Sequence, residues 1–328
     1  MSAESSPKSR AIRIEMIDLA RGVAILAMAI YHFTWDLEFF GWIASGTTLE
    51  PGWKYFARCI AASFLVLVGV SLVLAHGDQF RPRAFWVRFV QICVAAALIT
   101  ISTYFSTPNS FIFFGILHQI AVASLIGVLL VRLNGWLIAG IAGAVFLAAN
   151  SLASPLFDPW WWRWSGLAET RPISNDYVPV FPWTGWVLMG MAAAKLGRRW
   201  IDELARFNRS STAENRSPGQ QISSALQFFG RRSLITYLLH QPALIGCVWL
   251  FTQVAGPPDR TPAFLAQCER NCETSHDKPF CVSFCQCSAD EFKSASLWED
   301  LHQGRLDMSG DPKVRAIISQ CSAEPNKP

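Results

Sequence analysis

The chain has 328 residues, of which 52% are apolar and only 16% are Asp, Glu, Lys or Arg, against roughly 25% charged in ordinary soluble domains. That balance excludes a disordered chain, a fibrous repeat and a nucleic-acid-binding arm. Fourteen Trp and twenty-three Phe point instead to a protein whose solvent is partly lipid. The net charge of +4 hides a division: residues 1–255 carry 20 Lys+Arg against 13 Asp+Glu, whereas residues 256–328 carry 8 against 11.

Apolar runs approaching the ~20 residues that cross a bilayer recur seven times, near 16–35, 57–75, 86–105, 111–131, 136–153, 181–197 and 233–254. The fold expected is an all-α integral membrane protein: a short cytoplasmic tail (1–15), a bundle of about seven transmembrane helices (16–255) and a small disulfide-rich helical extension (256–328). The first run does not read as a cleaved signal peptide, because Asp18 and Arg21 interrupt its apolar core and further spans follow.

Loop charge sets the orientation. With the N-terminus in the cytoplasm, the inside segments hold 15 Lys+Arg, whereas the short outside loops hold four: Lys54, Arg58, Arg163 and Arg171. Seven crossings then leave the C-terminal extension outside.

In the first run, at 100° per residue, Asp18, Arg21, His32 and Asp36 share a sector of about 60°. A bilayer tolerates such a stripe only where it faces protein or water. His32 lies about 16 Å along the axis from Arg21. Asp36 follows it by one turn, placed to orient its ring and raise its basicity. This reads as a base with its orienting carboxylate. The plainer reading is an ion pair between Asp18 and Arg21, with His32 bonded to a neighbouring carbonyl.

The string IDLARGVAILAMAIYHFTWDLEFFG (Ile17–Gly41) resembles the opening of bacterial proteins similar to the catalytic domain of heparan-alpha-glucosaminide N-acetyltransferase, which begin with Asp-x-x-Arg-Gly and an apolar run ending in His-Phe-x-Trp-Asp. Three later strings match in order: FFGILHQIAVASLIG (Phe113–Gly127), VFPWTGWVLMGMAAAKLG (Val180–Gly197) and GRRSLITYLLHQP (Gly230–Pro242). The resemblance implies an acetyltransferase that takes acetyl-CoA as cosubstrate, without a metal, and acetylates a sugar amine or hydroxyl on the other face. It also implies a catalytic histidine in the membrane, assigned here to His32 with Asp36, as a base or acyl carrier. The location implied is a bacterial inner membrane with the extension periplasmic. Partners are membrane lipid and an extracytoplasmic glycan; nucleic acid is excluded and a homo-oligomer is allowed.

Further candidates follow from depth along the helices. His118 enters the fourth helix at about the depth of His32 and could share the chemistry, or bond between helices; Gln119 beside it could orient the acceptor. Arg21, Arg231 and Arg232 are cations where CoA phosphates would lie, and His240 and Gln241, in the inner half of the last helix, could line the CoA path. Trp35, Trp161 and Trp162 are assigned to the acceptor, since Trp faces stack on sugar rings; an interfacial belt would use the tryptophans of DPWWWRW equally well. Residues Phe207–Gln221 read as a linker. A transporter lined by the same stripe is an alternative, as is an anchor for the extension as a partner-binding module.

Six cysteines fall in the extension: Cys268, Cys272, Cys281, Cys285, Cys287 and Cys321. Residues four apart share a helix face, so two short helices turning near His276 could staple as Cys268 to Cys285 and Cys272 to Cys281. The rival reading is a metal site using His276. Six cysteines in an outside segment favour disulfides.

Overall fold

The computed structural model describes residues 15–44, 46–197, 218–302, 306–307 and 310–323. The N-terminal tail and most of the Phe207–Gln221 linker lie outside the described residues.

Each predicted span falls on one helix: α1 (Glu15–Phe39), α2 (Pro51–His76), α3 (Pro82–Ser106), α4 (Ile116–Leu130), α5 (Gly135–Ser151), α6 (Val180–Leu196) and α8 (Ser233–Ala255). Of these, α1, α2, α3 and α8 are long and apolar enough to cross a membrane; α4 and α5 are shorter apolar helices. The sequence sets their ends. Helix α1 stops at Gly41, whose φ of 82° suits glycine; Gly41 N–H donates to Glu38 O (3.0 Å) and Trp42 N–H to Leu37 O (2.8 Å), a Schellman closure. The Asn134 side chain accepts from Leu137 N–H (2.7 Å) and caps α5. Helix α4 starts five residues later than its apolar run, because Gly115 holds extended backbone and Asp176, from the loop before α6, accepts the Ile116 N–H at 2.8 Å.

One helix was not expected. Pro218–Arg231 forms α7, so residues 218–221, read as linker, are its first turn. Its apolar residues Ile222, Leu226 and Phe229 recur at helical spacing.

Two compact units divide the chain: residues 1–28 with 57–240, and residues 29–56 with 241–328. In the first unit, α5 packs on α6 around Ile138, Leu188 and Met191, and α3 packs on α4 around Ile92, Ala95 and Leu117. Gly69 on α2 faces the backbone of Val187, and Gly190 on α6 faces that of Val66. A Cβ at either position would strike the opposite main chain, so this reciprocal pair sets the α2–α6 distance, as small residues do between membrane helices.

The second unit groups the extension with the C-terminal part of α1, the start of α2 and most of α8. Its helices α9 (Thr261–Cys272), α10 (Lys278–Ser294), α11 (Trp298–His302) and α12 (Pro312–Ala323) surround Phe292, Leu297, Val314 and Cys321. Cys268–Cys285 and Cys272–Cys281 bridge α9 to α10, as the spacing predicts, and Cys287–Cys321 bridges α10 to α12. His276 stacks on Phe280 with 4.7 Å between ring centroids.

Candidate active site

Near the start of α1, Asp18 is buried and holds two arginines. Arg21 Nη1 donates to its Oδ1 at 3.3 Å, and Arg231 Nε lies 3.5 Å from its Oδ2. Arg21 also donates to Ser71 Oγ on α2. Gly22 admits the carbonyl of Leu226, and Gly230 packs against the backbone of Asp18. The Asp-x-x-Arg-Gly string and the Gly-Arg-Arg string are therefore the two halves of one α1–α7 joint. Arg232 lies over the Phe228 ring, 4.2 Å from its centroid.

Arg21 alone of these three arginines lines the nearby cavity of about 210 Å³. Its polar wall comprises Arg21, Ser71, His76, Arg88, Ser124, Ser233 and Tyr237, and its apolar wall comes mainly from α2, α3 and α4. Two guanidinium groups above an apolar wall suit an anionic ligand with an extended arm. Arg88 was missed by sequence reasoning, which counted it as a loop charge. Its i, i+4 relation to Ile92, a buried residue of the same face, was the available signal.

His118 is committed at both ring nitrogens. Gly115 N–H donates to Nδ1 at 3.2 Å, so Nδ1 is unprotonated. Nε2 lies 3.2 Å from Thr100 Oγ1, whose own proton goes to Ile112 O (2.7 Å), so Nε2 is the donor to Thr100. The ring closes the N-terminus of α4 in its neutral form. Gln119 is fully buried and donates to Thr184 Oγ1 on α6 at 2.8 Å; its Oε1 has no hydrogen-bond partner among the described residues. Trp161 and Trp162 are exposed on the 160–165 turn, where Trp162 stacks on Trp164. Asp176, also missed, joins this region through its bond to Ile116; burial lifts its carboxyl to about 6, against the lowering effect of that bond.

The C-terminal part of α1 is built differently. Asp36 is fully buried; its Oδ1 accepts from Gln241 Nε2 at 2.7 Å, and its Oδ2 has no hydrogen-bond partner among the described residues. Gln241 Oε1 is likewise buried without a partner. Sequence reasoning gave Asp36 the ring of His32 as its partner, but the structure gives it the Gln241 amide. The same bond sets Gln241 level with Asp36, although residue counting along the last helix put it in the inner half. His32 sits one turn before Asp36, half-buried, with Tyr31 edge-on at 5.6 Å. Trp35 stacks on Phe39 at 5.4 Å. His240 Nδ1–H donates to Tyr237 O at 2.6 Å, a bond to its own preceding turn.

Two buried acceptor oxygens without donors, one helical turn from a histidine, can take a group that brings N–H or O–H. Among curated proteins and solved structures, none matches the chain significantly. Residues 13–242 match the family described as "Heparan-alpha-glucosaminide N-acetyltransferase, catalytic", a range that contains the polar stripe of α1, the cavity and the Asp36–Gln241 pair. This chain belongs to that family of membrane acetyltransferases.

Proposed function

We propose that the protein transfers an acetyl group from cytosolic acetyl-CoA to an amine or hydroxyl of a sugar on the opposite side of a bacterial inner membrane, with its N-terminus in the cytoplasm. The observation that carries this reading is the stripe on α1, where His32 adjoins the unsatisfied Asp36–Gln241 pair. In the reaction, the acceptor nitrogen or oxygen attacks the thioester carbonyl. The acceptor's proton passes to His32, the carbon–sulfur bond breaks, and CoA leaves as its thiol after protonation. His32 could instead carry the acetyl group between two such steps. Asp36 and Gln241 accept the N–H or O–H groups of the acceptor and hold it near His32. Arg21 and Arg88 hold the CoA phosphates, and His118 supports the start of α4. Loop charge and the three disulfides of the extension support the orientation.

The test uses protein reconstituted in vesicles, with labelled acetyl-CoA on the N-terminal face and glucosamine on the other. Acetylated sugar in the glucosamine compartment is the expected result, and mild alkali separates an alkali-labile ester from a stable amide. Intact acetyl-CoA crossing without product would overturn the reading in favour of a transporter.

A further inference from the structure

The extension beyond the matched range has its own cavity, of about 500 Å³, shared with the end of α1 and the loop that follows it. This lies within the usual range for small-molecule sites, ~300–1,000 Å³. One wall is aromatic, comprising the stacked pair Trp35 and Phe39 from α1, with Phe264 from α9. Arg260 and Gln267 supply polar groups from the extension.

One lining residue of the cavity, Glu38, is already engaged. Both carboxylate oxygens of Glu38 are occupied: Oε1 accepts from Gly46 N–H at 2.6 Å, and Oε2 accepts from the N–H and hydroxyl of Thr48, each at 2.8 Å. That acid is therefore spent on folding the loop. Arg260 lies across Gly41, where any Cβ would come within 2.7 Å of its Nε. The glycine that ends α1 is thus also the cradle of the guanidinium. Its hydrogen bond to Phe40 O (3.5 Å) and its approach to Glu299 (3.9 Å), itself mostly exposed, are both long. A guanidinium has five N–H donors in a planar fork, so a ligand carboxylate can take the stronger geometry.

We propose that this cavity binds an anionic saccharide: the stacked Trp35–Phe39 pair presents an outer aromatic face to a sugar ring while Arg260 holds its acidic substituent. The proposal rests on the reading above that the acceptor is a glycan on the side of the extension, and it gives the extension a role in acceptor choice. A stacked aromatic wall favours a ring with C–H faces, and a cradled arginine whose contact with Glu299 is long (3.9 Å) favours an acid over a neutral sugar.

Calorimetric titration of the full-length protein in detergent with digalacturonic acid, and with neutral lactose, tests it. Digalacturonic acid is expected to bind more tightly than lactose. Arg260→Gln should weaken the acid by about tenfold or more, the range of a lost hydrogen bond to a charged group, without changing lactose binding. Arg260→Lys should retain the preference for the acid, and an unaltered unfolding temperature in both variants shows that the disulfide-bonded region is intact. Equal binding of digalacturonic acid by wild type and Arg260→Gln, or no binding of it by wild type, overturns the proposal. Acetyl transfer is measured on the same preparations. Saccharide binding without transfer removes the enzymatic reading and leaves the cavity assignment standing; transfer with binding indifferent to Arg260 does the reverse.

Discussion

Helix α1 carries two buried carboxylates, and they are treated in opposite ways. Asp18 is closed by Arg21 and Arg231, within a joint where two glycines bring the α1 and α7 backbones together. Asp36 has one amide donor and one oxygen left over, beside a second orphaned oxygen on Gln241. A buried acid held between two cations contributes to assembly, whereas one left with a single amide donor and no cation costs free energy that only a ligand, water or proton recovers. The same residue type, eighteen positions apart on one helix, thus marks one end held by cations and one end left short of donors.

The sharpest way to break this contrast is to neutralise each acid in turn. Asp36→Asn keeps an acceptor for Gln241, so it should leave thermal stability unchanged while lowering acetyl transfer by about tenfold or more, the range of a lost hydrogen bond between the acceptor and a charged group. A variant that unfolds but transfers normally when folded would reverse the assignment. Asp18→Asn leaves two arginines without their counter-charge and should cost about 2 kcal/mol, within the range for hydrogen bonds to charged groups, read as a lower unfolding temperature in detergent with little loss of rate per folded molecule. Gly190→Ala pushes α6 from α2 and should cost about 1–3 kcal/mol, measured the same way; an unchanged unfolding temperature would show that the backbones are not in close contact there.

The smallest effect concerns Asp176. Its carboxyl holds a proton up to about 6 in the folded chain, whereas an unfolded aspartate releases it near pH ~4. The folded state binds the extra proton between those values, so this residue's contribution to stability is full below about pH 4, falls as pH rises toward 6, and is level above that. Asp176→Asn should flatten that part of the unfolding-temperature profile. An equal slope in wild type and variant would contradict it.

Much of this was legible in the sequence because it depends on periodicity alone. Seven apolar runs gave seven helices, and the four-residue spacing of Cys268/Cys272 and Cys281/Cys285 gave two bridges. What depends on neighbours was not legible. Helix angles placed Asp36 and His32 on one stripe, but only tertiary packing could bring Gln241 to Asp36. Arg88 looked like a topology signal because its helix face was unknown. Pro218–Gln221 looked like linker because the polar run before α7 continues into its first turn. The match between the Asp-x-x-Arg-Gly and Gly-Arg-Arg strings became physical only when Gly22 and Gly230 were seen on opposite backbones.

The central claim is that chemistry occurs at the C-terminal part of α1 around His32. Its most direct test compares wild type with His32→Ala in reconstituted vesicles, with labelled acetyl-CoA on the N-terminal face and glucosamine on the other, alongside CoA binding and unfolding temperature. The account predicts unchanged CoA binding and unfolding temperature with transfer reduced by about 10²–10⁴-fold. Normal appearance of acetylated glucosamine with His32→Ala would contradict it.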